Sequence, residues 1–188
     1  MNTPNLKTTD PKETILHRIR FYAARSRPCI PDLATIQFLK ARIHPRHQLH
    51  YVTFHDTTGM QWIFIYFLNQ HEDGSWYIST SGGSPGHSMV QSPNTPDRPW
   101  LDLRGGQGMN QGSQGTSHEF YAGGEVIDNG FGIVRVRLIG PSEHVLEDAV
   151  QDGLVLFWSN QYVGIPLQAQ LYNSANELVC SQTTLPMP

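Results

Sequence analysis

Cysteine is nearly absent from this chain of 188 residues. Cys29 and Cys180 allow one bridge at most, so no disulfide framework holds the fold, and both are expected to be buried thiols. Long apolar runs are missing too. The longest, "WIFIYFL", falls far short of the roughly 20 residues that span a bilayer. The opening "MNTPNLKTTD" has neither a basic start nor an apolar stretch. No membrane span or targeting segment is therefore expected, and the expected setting is the reducing cytoplasm. Charge is scarce at 15% of residues, so the surface must rely on Gln, Asn, Ser and Thr, while 38% hydrophobic residues suffice for an ordinary core.

Chemical signatures are equally sparse. Gly82, Ser84 and Gly86 match the G-x-S-x-G pattern of a serine nucleophile on a strand-to-helix turn. That motif uses the backbone N–H of the residue after the serine to stabilise an oxyanion, and here the residue is Pro85, which has none. Prolines at 85, 93, 96 and 99 also exclude the helix that should follow. Ser84 is expected instead at the exit from a strand. "HPRHQLHYVTFHD" brings His44, His47, His50 and His55 close in sequence, but a zinc site needs three or four converging ligands. His50 and His55 differ by an odd number along one strand and point to opposite faces, so no metal or other cofactor is expected. Glu72, Asp73, Asp128 and Asp152 sit in turns, where carboxylates commonly serve the turn itself. The glycine-rich "RGGQGMNQGSQG" lacks the G-x-G-x-x-G register and any following G-K-[ST].

What the chain does have is a divided charge. Residues 1–50 carry nine Lys and Arg against three acidic residues, a net +6, whereas residues 51–188 carry four against thirteen, a net −9. A basic segment opposite an acidic one implies charge pairing within a chain or between chains.

Local patterns give an order of elements. "DPKE" starts a helix over about 11–26: Asp10 caps it, Pro11 takes the first helical position and Glu13 returns a bond. Ile15, Leu16, Ile19, Tyr22 and Ala23 form its apolar stripe. "RPCIPD" breaks it, Asp32 caps a second helix whose stripe is Leu33, Ile36, Leu39 or Lys40, and Ile43, and His44-Pro45 ends that helix. "HYVTF", "QWIFIYFL" and "SWYIST" read as a three-stranded antiparallel meander. Residues 84–117 read as a mobile loop rich in Gly, Pro and Gln. Six further strands follow, with "LVLFW" central because it is apolar on both faces, and with Val134, Val136 and Leu138 facing away from Arg135 and Arg137.

The expected fold class is α+β, with N-terminal helices packed on an antiparallel meander, followed by a mostly antiparallel β-sandwich or barrel-like sheet. The expected divisions are a flexible tail at 1–10, the helical pair and meander at 11–83, the loop at 84–117 and the sandwich part at 118–183, or else one fused core. Tyr66, Trp62 and Trp76, with His55 on the rim, are the candidate lining of an apolar ligand pocket between meander and helices. In its order of helix and curved antiparallel sheet, the first 80 residues are similar to the small cone-shaped domains of the nuclear-transport-factor-2 type. That likeness covers less than half the chain and implies no particular site residue.

Three functions follow as expectations. The first is a non-catalytic binding or assembly module that meets another copy or another protein through charge complementarity. The second is a small-molecule binder or enzyme using the aromatic pocket, with the 84–117 loop as lid. The third is nucleic-acid or anionic-surface binding through Arg18, Arg20, Arg25, Arg27, Lys40, Arg42 and Arg46.

Overall fold

The computed structural model describes residues 8–23, 30–86, 98–112 and 115–185. They divide into two compact units, residues 1–88 and 89–188. The expected helical pair is not there: the described residues hold a single α-helix, and the architecture is mostly antiparallel β.

In the first unit, helix α1 (Pro11–Ala23) starts where the proline and cap place it. Asp10 Oδ1 accepts the backbone N–H of Lys12 at 2.8 Å. Glu13 does not close a capping box; it reaches along the helix to Arg20 at 3.7 Å, while the Asp10 N–H donates to Thr8 Oγ1. Ile15 and Ile19, one turn apart, are buried.

The second helix is corrected to a strand. Asp32 does cap, accepting the N–H of Ala34, but the turn that it caps is a three-residue 3-10 helix, Leu33–Thr35. Strand β1 (Gln37–Ile43) follows and pairs with β2 (His47–His55) from Gln37↔Thr53 to Ile43↔Gln48. A stripe at helical spacing over so short a run does not exclude a strand, and hydrogen bonding to β2 decides between them. The stripe itself fails: Leu39 and Ile43 are exposed, and a bulge between Phe38 and Lys40 shifts the register. The meander thus has four strands in the order β1-β2-β3-β4, with β3 spanning Gln61–Gln70 and β4 Trp76–Pro85.

One face of this sheet carries Phe38, Val52, Phe54, Phe64, Tyr66, Leu68, Trp76 and Ile78, packed under Ile15 and Ile19 of α1. On the other face Leu49, Tyr51, Ile63, Ile65 and Phe67 are buried as well. The small residues of β4 have a local reason: Gly83 lies opposite Phe64, whose ring occupies the space a Cβ at Gly83 would need.

The second unit is a sandwich of two antiparallel sheets. One has the order β11-β10-β7-β8, built from β7 (Ile133–Ile139), β8 (Val145–Ala149), β10 (Leu167–Asn173) and β11 (Leu178–Thr184). The other has the order β5-β6-β9, built from β5 (Trp100–Gly112), β6 (Gly115–Ile127) and β9 (Leu154–Ser159). Leu101, Leu103, Phe120, Ala122, Val155 and Phe157 from the second sheet meet Val136, Leu138, Leu167, Ala169 and Leu171 from the first.

Three expectations change here. Much of the glycine-rich segment is strand rather than loop: β5 pairs with β6 from Trp100↔Ile127 to Gly112↔Gly115. Glycine suits the close packing of this pair, since a Cβ at Gly105 of β5 would collide with the Tyr121 carbonyl and Ala122, and one at Gly124 of β6 with the Asp102 carbonyl. The remainder of that segment, 87–97 and 113–114, lies outside the described residues. "LVLFW" is not central, because β9 is an edge strand. Val134 is exposed rather than inward, because a register shift between Tyr172 and Asn173 falls opposite it.

Candidate functional site

Alternation along β3 places Trp62, Phe64, Tyr66 and Leu68 on the helix-facing side. Their rings form a ladder: centroids are 6.4 Å apart for Trp62 and Phe64 and 5.7 Å for Phe64 and Tyr66, with Phe54 stacked on Phe64 at 5.4 Å. Tyr66 and Trp76 are core side chains beneath Ile15 and Ile19. Trp62 is half-buried at the end of the ladder. His55 is exposed at the end of β2, opposite Gln61 and so on the other face. Three of the four residues expected around a pocket therefore share one aromatic layer, and the fourth stands apart from it.

Asp56 holds the end of that ladder. Its Oδ1 accepts from the Thr58 N–H at 2.9 Å, the Thr58 hydroxyl at 2.6 Å and the Met60 N–H at 3.0 Å, while Oδ2 accepts from the Trp62 indole at 2.9 Å. These donors favour the ionised carboxylate, the Thr58 hydroxyl foremost and the Trp62 indole next, and lower its pKa from 3.8 to about 2. It organises the "DTTG" turn and fixes the Trp62 ring.

Among the described residues the expected basic side chains are spread over different elements. Arg18 and Arg20 are on α1. Lys40 and Arg42 pair with Tyr51 and Leu49, which puts them on the sheet face opposite α1, and Lys40 is largely buried. Arg46 is exposed in the turn after β1. Arg25 and Arg27 lie outside the described residues.

The four clustered histidines scatter as well. His44 and His55 are exposed, His47 shares a face with Asn69 and Phe67, and His50 lies on the helix side. Among the described residues no three His, Cys, Asp or Glu side chains gather at metal-binding range. His47 Nδ1 is 2.5 Å from Asn69 Oδ1. His50 is 2% exposed, and its Nε2 lies 2.9 Å from Gln48 Oε1. Burial above all disfavours its charged form, nearby Lys12 adds to this, Asp10 opposes it, and its pKa falls from 6.5 to about 4.

Ser84 lies inside β4, paired with Ile63 of β3, and the residues from 87 on, where the helix of such a motif would run, lie outside the described residues. Cys180 is a half-buried free thiol on β11, and Cys29 lies outside the described residues. No described helix is long and apolar enough to cross a membrane.

Sequence reasoning missed a set of polar side chains at the open seams of the sandwich. Gln182 on β11 bonds both backbone groups of Leu101 on β5. Asp148 on β8 accepts the Leu156 N–H of β9 at 2.7 Å. Beside it the buried Ser159 Oγ lies 3.2 Å from His144 Nε2 and accepts the Gln161 N–H at 3.0 Å. A serine hydroxyl donating to an imidazole is the pairing that nucleophilic catalysis uses. Here the hydroxyl has one proton and two acceptors in reach, His144 Nε2 at 3.2 Å and the Gln161 carbonyl of its own turn at 3.4 Å. Nothing in the sequence marks these residues, because each partner is remote along the chain and of a common type. No family model, curated protein or solved structure matches the chain.

Proposed function

We propose that this chain is a non-catalytic binding or assembly module whose contact surface is the edge strand β1, acting in the reducing cytoplasm. The observation that carries this reading is Ile43, a large apolar side chain 70% exposed on a sheet edge. Leu39 on the same strand is 42% exposed. Edge strands ordinarily discourage association with outward charge, proline or a bulge. Here the bulge is present, but Leu39 at the bulge and Ile43 beyond it are exposed and apolar. Arg42 and Arg46 accompany them, and no acidic residue occurs between Asp32 and Asp56. The complementary surface is acidic, and residues 51–188 of a second copy, at net −9, provide one.

Sedimentation velocity at low salt and at about 0.5 M salt tests this, since attraction between exposed charges is screened within a few ångströms at high ionic strength. Association at low salt that weakens with added salt, and is reduced by Ile43→Lys, is the expected result. A chain that is monomeric at every salt concentration, or whose association ignores Ile43→Lys, overturns the proposal.

A further inference from the structure

His50 is a buried imidazole that the assembly reading does not use. It stands on β2, cross-strand from Ala41 of β1 and Tyr66 of β3, on the face that α1 covers. Gln48 Oε1 is only an acceptor, so Nε2 must carry the proton and donate to it. Nδ1 is then a bare lone pair, and it is buried with no hydrogen-bond partner among the described residues. The Phe38 ring lies edge-on to the imidazole at 6.0 Å, and Lys12 Nζ of α1 sits 5.4 Å from the centroid of that same ring. The charged groups that bear on His50 are Lys12 and Asp10, both at the start of α1. Gln48 from β2, Phe38 and Ala41 from β1, and Tyr66 from β3 bring no formal charge.

We infer that His50 is an acid-operated release for helix α1. A second proton would have to sit on Nδ1, which creates a buried N–H without an acceptor and a cation beside Lys12. Both effects oppose ionisation while the helix is in place. Water at Nδ1 removes both penalties, and there are two ways to admit it. One is to break β2 out of the middle of the sheet, where it is hydrogen-bonded on both sides. The other is to lift the first turns of α1, whose buried apolar side chains are Ile15 and Ile19. The second disturbs far less structure, so acid opens the helix locally before the sheet unfolds.

The depressed pKa agrees with this geometry. The open form takes up the proton at the ordinary value of 6.5 and the closed form only at about 4. The closed form is therefore fully favoured above pH 6.5 and loses ground as pH falls from there toward 4.

Hydrogen exchange, corrected for intrinsic rates, reads the opening directly. Between pH 7 and pH 5 the protection of the α1 amides should fall by about tenfold or more, corresponding to a little over one pKa unit of differential proton binding. Protection of the β3 amides should change much less. His50→Phe should abolish the acid-dependent loss in α1, and His50→Gln provides a second neutral replacement should the phenylalanine not be accommodated. An α1 loss of equal size in either neutral variant overturns the inference, as does parallel loss in α1 and β3. An imidazole that titrates in the folded wild-type protein at its ordinary value, followed by NMR, overturns it as well.

Discussion

The side-chain amide of Gln182 makes to Leu101 both hydrogen bonds that a neighbouring strand would make: Oε1 accepts the Leu101 N–H at 2.9 Å and Nε2 donates to the Leu101 carbonyl at 2.8 Å. An open sandwich leaves backbone groups unpaired at its seams, and one glutamine here serves as a one-residue strand that closes the β11–β5 seam. Gln182→Ala removes both bonds at once and should lower unfolding free energy by about 1–3 kcal/mol, read as a lower urea midpoint at unchanged slope. Gln182→Glu keeps the volume and one acceptor but sets a carboxylate oxygen against the carbonyl, so it should not restore the loss.

The opposite seam relies on a carboxylate. Asp148→Ala leaves the Leu156 N–H without its acceptor and is expected to cost about 1–3 kcal/mol in urea unfolding. Exchange of the Leu156 amide should rise more than that of Phe157, which has no bond from Asp148.

Asp56 makes the first unit sensitive to strong acid. Its carboxyl titrates near 3.8 when unfolded and at about 2 when folded. Its contribution to stability is thus complete above pH 4 and is lost as pH falls from there toward 2. Asp56→Asn, which cannot gain or lose that charge, should show a flatter dependence of melting temperature on pH over this range. Trp62 fluorescence should report a less restrained indole in the variant.

Gly83 and Phe64 are coupled sterically. Gly83→Ala forces a methyl group into the Phe64 ring and should destabilise by about 1–3 kcal/mol. Phe64→Leu removes the flat ring from that position, so the double variant should lose less than the sum of the two single changes. A double-mutant cycle with no coupling would show that β4 yields to the methyl instead.

Legibility in the sequence followed the range of the interactions involved. Asp10, Pro11 and the Ile15–Ile19 spacing identified α1, because capping and an apolar stripe act within a few residues. Period-2 alternation identified β3 and placed Trp62, Phe64 and Tyr66 on a common face. The turns that contain Asp73 and Asp128 were equally apparent, since each carboxylate bonds to backbone groups two to five residues on. Residues 33–43 were misread because Leu33, Ile36 and Ile43 fit a helical period, while the alternative, six register pairs with β2, cannot be weighed locally. The glycine-rich segment was misread for a related reason: its strand state depends on pairing with β6 rather than on its own poor propensity.

The sequence by itself determined the local features: the helix start, the turns, the two-sided apolar character of β3, and the charge contrast between the first 50 residues and the rest. Tertiary structure alone decided which strands became edges, where Gln182 and Asp148 close the sandwich, how the clustered histidines and arginines divide between faces, and that His50 is buried on the face that α1 covers. The physical reason is that local features arise from torsional preference and hydrogen bonds between near neighbours. Edges, seams and burial depend on partners tens of residues away, whose arrival no short pattern encodes.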